Sequence, residues 1–358
     1  MSTMEAAPSQ EAVEAFVGKV LGDFAGHMAA NLGVFGDQLG LWRVLAERGA
    51  ANSVELAERA GIDERYAREW LAGVTAAGYL TYDSSTGRYA MPAAHVPVLA
   101  TEGAPYFFGG AFQEVAGMGD HFDELIAAFR RGGGVDQSRY NHHMFAAIAR
   151  FTNGWFENLL IPVWIPAMPD VQKLLERGVK VADIGCGAGK ALIKLATTYP
   201  EGTYVGYDNS PEQLALAAKE VEAAGLSDRV RFELLDASEG LPEQYDVITT
   251  FDVLHDSVDP AGLLAAIRQA LRPGGRYVCV DINSSDDPEQ NVGPLATLLY
   301  GTSIMYCMTV SLARGGAGLG TCGLHPKKLE ELAAQAGFGE VRLAPVEDPF
   351  NNLYEITA

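Results

Sequence analysis

Hydrophobic and polar positions alternate with two different periods along this chain of 358 residues. In the first ninety residues the apolar positions recur at helical intervals, and Ser53 and Gly61 have the residue types that begin and end a helix. This pattern predicts helices over residues 11–32, 37–46, 53–61 and 63–77. Two β-rich runs at 79–82 and 88–91 flank a turn and predict a hairpin. Three helices followed by a hairpin indicate a winged-helix unit.

The second half of the chain has a different hydrophobic pattern, in which short apolar runs alternate with amphipathic segments. Strands are predicted at 181–184, 203–208, 230–235, 244–251, 276–282, 339–346 and 352–357, with helices at 260–271 and 325–337. Alternation of this kind is typical of an open α/β sheet. The segment between the two halves is rich in aromatic residues and glycine and is predicted to be helical.

We therefore predict three parts. Residues 1–94 hold a loose tail over 1–10 and the winged helix, residues 95–170 form a helical linker and lid, and residues 171–358 form the α/β domain. No internal repeat interrupts this order.

The strongest motif lies where the first predicted α/β strand ends, in the sequence DIGCGAG. Gly185, Gly187 and Gly189 let backbone N–H groups approach a ligand closely. Asp208 ends the next strand and can accept two hydrogen bonds from a ribose diol. The dinucleotide-binding fingerprint needs a third glycine at position 190, where this chain has lysine, so the motif favours S-adenosylmethionine over NAD.

These residues, with the segments FDVLHD, LRPGG and LEELAAQAGF further along, resemble the class I S-adenosylmethionine-dependent methyltransferases. The order of domains is similar to that of small-molecule O-methyltransferases and of related actinobacterial-type proteins, which carry an N-terminal winged-helix dimerisation domain. The resemblance implies an α/β, Rossmann-like catalytic domain with a mostly parallel seven-stranded sheet, and a homodimer formed through the N-terminal domain.

The resemblance also implies which residues hold the cofactor, S-adenosyl-L-methionine. The three glycines would border its methionine half, Asp183 would hold the amino group through water, and Asp208 would hold the ribose. The full set implied is Asp183, Gly185, Gly187, Gly189, Asp208, Asn209, Asp236, Ala237, Phe251 and Asp252. For Asp236 and Ala237 a helix cap is the alternative interpretation.

His255 is the candidate general base, because a neutral imidazole can accept a proton near pH 7 and because this residue follows the fourth strand, at the edge where open α/β sheets bind ligands. The sequence LHD resembles the LHDW element of hydroxyl-methylating relatives, with Ser257 in place of the tryptophan. Asp256 is paired with His255 as the second candidate catalytic residue, and Asp281 is the more plausible residue to orient the ring. A packing or capping role for His255 is the alternative.

Substrate contacts are expected from the aromatic linker and from the insertion after the fifth strand. The candidates are Tyr140, His142, Met144, Trp155, Tyr300, Tyr306 and His325. Of the adjacent His142 and His143, at most one is expected to face the pocket, because neighbouring residues on a helix point in different directions. His325 could instead sit at a helix start, or face His255 with Asp256 in a two-histidine, one-carboxylate metal site; no metal is expected.

Composition narrows the choice of partners. The formal net charge is −20, and a surface of that sign repels nucleic acid and lipid headgroups. Four cysteines without paired spacing, together with a polar N-terminus, favour the reducing cytoplasm. No apolar run is expected to span a bilayer.

From these observations we predict an enzyme that transfers a methyl group to a small organic acceptor. O-methylation is preferred, and S- or C-methylation stays open; with a thioether acceptor His255 would only position the substrate. The alternative is a transcriptional regulator that responds to S-adenosylmethionine or to a metabolite and reads DNA through the winged helix.

Overall fold

The computed structural model describes residues 8–358, so most of the tail predicted over residues 1–10 lies outside the described residues. The described chain folds into two compact units. The first comprises the chain up to Gly117 together with His142–Phe151, and the second comprises Met118–Asn141 and Thr152–Ala358. The boundaries predicted at residues 94 and 170 stay a prediction.

Helices and one hairpin build the first unit. Its elements are α1 (Gln10–Gln38), α2 (Leu41–Arg48), α3 (Ser53–Ala60), α4 (Glu64–Ala76), β1 (Thr81–Asp83), β2 (Arg88–Ala90), α5 (Val96–Leu99), α6 (Gly109–Met118) and most of α8 (His142–Trp155). A core around Trp42 and Trp70, whose ring centroids lie 4.7 Å apart, holds the helices together. The predicted winged-helix order is confirmed.

Two helix boundaries differ from the sequence prediction. The first helix runs unbroken to Gln38, because nothing between residues 32 and 37 ends it before Gly40, which adopts a left-handed φ of +66°. The N-cap of α3 is Asn52 and not Ser53. Asn52 accepts from the Glu55 backbone while the Glu55 carboxylate accepts from the Asn52 backbone, and this capping box starts the helix one residue earlier.

Helices and a seven-stranded sheet build the second unit. The helices are α7 (Phe122–Arg131), the end of α8, α9 (Pro169–Glu176), α10 (Lys190–Thr198), α11 (Pro211–Ala223), α12 (Pro260–Ala270), α13 (Gly293–Thr302), α14 (Met308–Ala313) and α15 (Pro326–Gln335). Two π-helical segments, Phe156–Trp164 and Ser303–Cys307, join helices to one another.

The strands of the sheet are β3 (Lys180–Ile184), β4 (Thr203–Asp208), β5 (Val230–Leu234), β6 (Tyr245–Phe251), β7 (Leu271–Ile282), β8 (Val341–Leu343) and β9 (Asn351–Thr357). Their order is β5-β4-β3-β6-β7-β9-β8; β9 is antiparallel to both of its neighbours, and the other pairs are parallel. The strands β4 and β5 lie on one side of β3, and the strands from β6 onward lie on its other side, so the strand order reverses between β3 and β6. Open α/β sheets bind their ligands at the carboxyl ends of the strands beside this switch point.

One strand begins earlier than predicted. Leu271 already pairs with Tyr245, and Arg276 pairs with Val247, so residues 273–275, between the predicted helix and the predicted strand, lie inside β7 as a bulge. The bulge leaves the register at the carboxyl ends of β6 and β7 intact, and those ends carry the candidate site.

The insertion after β7 corrects another expectation. Residues Gly293–Ala313 form one helical run of 21 residues whose length and composition would allow it to cross a membrane. Within its own unit this run donates and accepts hydrogen bonds: Thr309 Oγ1 accepts from the Val135 backbone at 2.9 Å, and Ser311 Oγ donates to the Ser257 carbonyl at 2.9 Å. Part of the run therefore packs within the second unit, and 39% of the apolar window is buried there.

Candidate active site

The glycine turn between β3 and α10 takes the shape that the sequence predicts. Gly185, Gly187 and Gly189 all have left-handed φ values, of +67°, +51° and +72°. A side chain at Gly185 would meet Val253, and one at Gly189 would meet Phe232. At Gly187 no atom of the described chain lies within 4 Å of where a Cβ would be. A side chain at Gly185 or Gly189 would therefore collide with a neighbour, whereas Gly187 has free space beside it, as a ligand cradle requires.

Asp208 fixes this turn from the neighbouring strand. Its carboxylate accepts hydrogen bonds from the Gly187 and Ser210 backbone N–H groups, both at 2.8 Å. Burial raises the pKa of Asp208 despite these bonds. Asn209, the next residue, is exposed. The predicted ribose-binding carboxylate is thus tied to the loop that would hold the rest of the same ligand.

Asp183 is the most deeply buried of the predicted cofactor residues, at 1% exposed. It pairs with Thr249 across β3 and β6, and the Thr249 hydroxyl donates to its carboxylate at 2.6 Å. Loss of solvent outweighs this bond and raises the pKa of Asp183 to about 7. The group is therefore half protonated near neutral pH, beneath the glycine turn.

Asp236 acts as a cap. Its Oδ1 accepts from the Ser238 backbone at 3.1 Å and from the Ser238 hydroxyl at 2.7 Å, at the start of a short 3₁₀ turn, and Ala237 is buried. This is the alternative that the sequence left open. The cap uses only one of the two carboxylate oxygens, so the adenine role stays a prediction.

Phe251, at the end of β6, lies in an aromatic cluster. Its ring stacks on Trp164 with centroids 6.0 Å apart and meets the edge of Phe156 at 5.1 Å. Both partners belong to the π-helical segment Phe156–Trp164, and the neighbouring Trp155 is also buried.

Asp252 holds a strained backbone at this strand end. Its φ of +63° is the only positive value among the non-glycine residues that the structure describes, and strain of this kind is often found at functional sites. Its Oδ1 is buried without a hydrogen-bond partner, 3.7 Å from His255 Nδ1. Burial, opposed by His255, raises the pKa of Asp252 to about 7.

His255 is fully enclosed, and its Nδ1 lies 2.8 Å from Asp281 Oδ1. The register of the sheet contributes to this pair, because Phe251 at the end of β6 is opposite Val280, the residue before Asp281, and His255 lies in the loop that follows β6. Burial disfavours the charged ring, but the Asp281 carboxylate and a hydrogen bond to Cys307 outweigh burial and place the pKa of His255 well above its ordinary value. No sequence motif pointed to Cys307.

Asp256 does not bond to the imidazole in this structure. Its pKa is raised to about 6, chiefly by burial. It belongs with His255 and Cys307 to one of two groups of metal-ligand atoms within 4.8 Å of one another; the other group is Asp252, His255 and Asp281. Asp281, and not Asp256, therefore orients His255.

Two of the predicted substrate residues lie together. Tyr140 and Tyr306 meet edge to face with ring centroids 4.9 Å apart, and both are buried. The Tyr140 hydroxyl donates to the Met305 carbonyl, and Tyr306 accepts from the Gln137 side chain at 3.0 Å. Tyr300 lies elsewhere on the insertion; it is 41% exposed and its hydroxyl accepts from Asn291.

The rings of the adjacent His142 and His143 lie together, with centroids 4.1 Å apart at an interplanar angle of 35°. Which of the two faces the pocket stays a prediction. Both belong to the first unit, as does the buried Met144.

His325 takes the capping role that the sequence offered as one alternative. Its Nδ1 accepts from the Lys328 backbone at 3.2 Å, which makes it the N-cap of α15. Among the described residues it belongs to no group of metal-ligand atoms, so the site with His255 and His325 as joint ligands is not formed.

Comparison with known families agrees with this geometry. Residues 175–337 match the family described as a methyltransferase domain, and residues 28–101 match the Rv2258c-like winged HTH domain. The chain therefore carries a methyltransferase domain, preceded by a segment that matches a winged-helix domain family. Solved structures that share its fold include PigF with S-adenosylhomocysteine.

Two curated relatives illustrate the range of similarity. The 3-hydroxy-5-methyl-1-naphthoate 3-O-methyltransferase of Streptomyces sahachiroi is 29% identical over 279 residues, which are 75% of this chain and 77% of that protein. The ubiquinone biosynthesis O-methyltransferase of Cereibacter sphaeroides is 31% identical over 106 residues, or 30% of this chain. The match to the second relative spans only 42% of its length.

Solved structures share the fold over nearly the whole chain. The mitomycin 7-O-methyltransferase MmcR superposes with a TM-score of 0.72 at 18% identity, covering 98% of this chain and 99% of that one. NcsB1, an O-methyltransferase from neocarzinostatin biosynthesis with bound S-adenosylmethionine and 2-hydroxy-5-methyl naphthoic acid, has a TM-score of 0.65 at 21% identity, covering 95% and 98%.

Proposed function

We propose that this protein transfers the methyl group of S-adenosylmethionine to a hydroxyl oxygen of a small aromatic molecule. One observation carries the proposal: a buried His255–Asp281 pair stands at the carboxyl ends of β6 and β7, one strand away from a glycine turn built to hold a ligand. A base and a ligand cradle on the same strand edge are what this reaction needs.

The residues present fit the cofactor. The open space at Gly187 and the left-handed backbone of the turn leave room for a ligand against the main chain. Asp183, Gly185, Gly189 and Asp208 complete the cradle, with Asn209, Asp236, Ala237, Phe251 and Asp252 as further contacts. When bound, S-adenosylmethionine supplies an activated methyl group that needs only a positioned lone pair as acceptor.

His255 would remove the proton of the acceptor hydroxyl. Because the Asp281 carboxylate accepts from Nδ1–H, Nε2 carries the lone pair of the ring. The Cys307 thiol lies within 4.8 Å of a ring nitrogen, and an acceptor hydroxyl would take its place at Nε2. The raised pKa means that the ring must lose its own proton before it can act. S-adenosylmethionine carries a positive charge. When it is bound at the same edge of the sheet, this charge would favour loss of the His255 ring proton, because like charges disfavour protonation.

An aromatic hydroxyl is the acceptor that the chain favours. Tyr140 and Tyr306 offer flat surfaces in the same unit as His255, and a proton-accepting pair has no use with a thioether. The related Streptomyces sahachiroi enzyme and NcsB1 are named for hydroxynaphthoate chemistry. We therefore infer O-methylation over S- or C-methylation.

We also infer a homodimer formed through the N-terminal domain. The first half of α1 carries large apolar side chains that are more than half exposed, namely Phe16, Val17, Leu21, Phe24 and Met28. Gly18, Gly22 and Gly26 leave an open groove along the same helix. An exposed apolar helix surface of this length indicates an interaction site. In a second copy of the chain, the same large side chains could pack into the groove along the glycines.

The regulator alternative finds little support in the charge distribution. On α4, the helix predicted to read DNA, Arg65 pairs with Glu69 and Arg68 pairs with Glu64. Both arginines are thus neutralised within the helix, where contact with phosphates would need free positive charge. The four buried free cysteines suit a reducing compartment, and we infer a cytoplasmic location from them.

Label transfer tests the proposal. Full-length protein is incubated with methyl-labelled S-adenosylmethionine and 2-naphthol, and the product is identified by mass spectrometry. The proposal requires a labelled methyl ether whose formation depends on His255. A protein that binds S-adenosylhomocysteine yet labels only sulfur or carbon acceptors would contradict the oxygen assignment.

A further inference from the structure

His121 holds a buried ring nitrogen to which the described part of the chain offers no hydrogen bond. The side chain is 5% exposed and precedes α7. Its Nδ1 lies 3.1 Å from Glu124 Oε1, which also accepts from Arg139 at 3.2 Å. Nε2 has no partner. A buried polar atom left unpaired costs about 1–3 kcal/mol, so this nitrogen calls for a partner from outside the chain.

The surroundings of His121 lead to the candidate active site. Its ring lies against Tyr140 with centroids 4.5 Å apart, and Tyr140 in turn meets Tyr306 at 4.9 Å. The imidazole is therefore at most 9.4 Å from the Tyr306 ring. All three side chains belong to the second unit, which also contains the sheet.

His121, Tyr140 and Tyr306 form an aromatic wall, and Tyr306 connects this wall to His255, the proposed base. Tyr306 lies in the π-helical segment Ser303–Cys307, next to Cys307, whose thiol lies within 4.8 Å of a ring nitrogen of His255. π-Helical turns occur often at functional sites because they redirect side chains within a helix. The negative charge of Asp256 also acts on the Tyr306 hydroxyl and helps to raise its pKa, after burial as the main cause.

His121 is the polar group on this wall that stays available. The Tyr140 hydroxyl is engaged by the Met305 carbonyl, and the Tyr306 hydroxyl is engaged by Gln137. The two tyrosines therefore present ring surfaces, and His121 Nε2 presents the unpaired polar atom.

We propose that His121 Nε2 accepts a hydrogen bond from a second hydroxyl group of the aromatic acceptor, while the first hydroxyl is methylated beside His255. The inference rests on the proposed function and extends it, because it names the acceptor class as dihydroxylated aromatics. His121 is a specificity-determining residue in this account.

The tautomer of His121 determines whether Nε2 can bind a hydrogen-bond donor or a hydrogen-bond acceptor on the substrate. Glu124 is a carboxylate that accepts from Nδ1, so Nδ1 carries the hydrogen and Nε2 carries the lone pair. A lone pair binds a hydroxyl and repels a carboxylate or a carbonyl oxygen. An ether at the same position has no hydrogen to donate, and the nitrogen would stay unpaired.

A matched pair of probes tests this assignment. With full-length protein, 2,6-dihydroxynaphthalene is compared with 6-methoxy-2-naphthol, by kcat/KM and by calorimetric affinity in the presence of S-adenosylhomocysteine. We expect the wild type to prefer the diol by about 10-fold or more, since a site that bonds a hydroxyl rejects the analogue that lacks it. In His121→Phe the ratio should fall close to one.

Two controls make the result specific. Asp123→Asn changes an exposed neighbour on the same helix and should keep the wild-type ratio. Unchanged affinity for S-adenosylhomocysteine shows that His121→Phe is folded; if it is not, His121→Gln, which retains a polar atom, replaces it and should lower the ratio.

The inference is overturned if His121→Phe keeps the diol preference, if the wild type has none, or if the wild type binds neither naphthol. In the first two cases the hydrogen-bond partner of His121 Nε2 would be a buried water molecule and not a hydroxyl group of the substrate. A wild type that binds S-adenosylhomocysteine but neither probe refutes this inference alone, whereas absence of S-adenosylhomocysteine binding refutes the proposed function itself.

Discussion

His255 and Asp281 lie 26 residues apart in the sequence, yet their side chains form a 2.8 Å hydrogen bond in the interior of the protein. His255 lies in the loop after β6 and Asp281 near the carboxyl end of β7, and the pairing of Phe251 with Val280 brings these two strand ends to the same edge. Asp281 is 0% exposed; its Oδ1 also accepts from the Ile282 backbone at 2.9 Å, and its Oδ2 has no hydrogen-bond partner in the described part of the chain. An acid so placed can hold the imidazole in one tautomer and orientation.

We predict that Asp281→Asn lowers turnover on the order of 100-fold or more, because the amide no longer fixes the base. It should also move the acidic limb of the rate profile to lower pH. Asp281 raises the pKa of His255, the ring must be neutral to act, and removal of the charge lets it become neutral at lower pH. Steady-state rates between pH 5 and 9 check both effects.

Asp256→Asn is the matched comparison for this variant. Asp256 makes no hydrogen bond to the ring, so its replacement should cost less activity and shift the profile less than Asp281→Asn. Equal effects of the two variants, or loss of rate at every pH without a shift, would indicate a structural role for Asp281.

Asp208→Ala should weaken binding of S-adenosylhomocysteine by roughly 1–3 kcal/mol, the usual cost of a lost charge-assisted hydrogen bond. The carboxylate accepts from the Gly187 N–H, and we propose that it also binds the ribose. Isothermal titration measures the change, with Glu239→Ala as an exposed control nearby. An affinity equal to that of the wild type would remove Asp208 from the site.

Much of this fold could be predicted because its signals are local. Glycines Gly185 to Gly189 follow an apolar strand and precede a helix, and this order alone indicates the nucleotide-binding turn. The unbroken α1 was missed because two helical periods separated by a glycine look like two helices. The π-helical segments were missed because a π turn has no distinct residue preference.

The candidate site was predicted only in part, since its decisive contacts are between strands. His255 was found from its position after a strand, whereas the contact with Asp281 depends on the register of β6 and β7. Cys307 and His121 have no motif around them. His121 could have been noticed only as a histidine placed beside an aromatic run, a signal too common to use.

Asp183 should make the stability of the protein without cofactor depend on pH. Its pKa is about 7 in the folded state, because of burial, against an ordinary value of 3.8. Between these values the folded state binds more protons than the unfolded chain, so the free energy of unfolding falls as pH rises from about 4 to 7.

Asp183→Asn should remove this contribution, which is on the order of 4 kcal/mol. Urea unfolding at pH 5 and pH 7.5 measures the difference, with the exposed Asp123→Asn as control. A decline as steep in Asp183→Asn as in the wild type would mean that other buried acids, such as Asp252 or Asp256, cause it.

The α1 surface should be a subunit interface. Replacement of Leu21 and Phe24 by glutamate places charge on side chains that are 69% and 63% exposed in the single chain, so it should not disturb the monomer. Sedimentation at micromolar concentration should show a dimer for the wild type and a monomer for the double variant. Glu14→Gln should stay dimeric; a monomeric wild type would contradict the interface.

The central claim is that a buried histidine takes the proton of a hydroxyl group while a methyl group is transferred to its oxygen. Single-turnover label transfer from saturating S-adenosylmethionine to 2,6-dihydroxynaphthalene tests it most directly, with wild type and His255→Ala compared at equal cofactor occupancy. The account predicts a labelled methyl ether from the wild type and a rate at least about 100-fold lower from His255→Ala. Equal rates from the two proteins, or no labelled ether from the wild type, would contradict it.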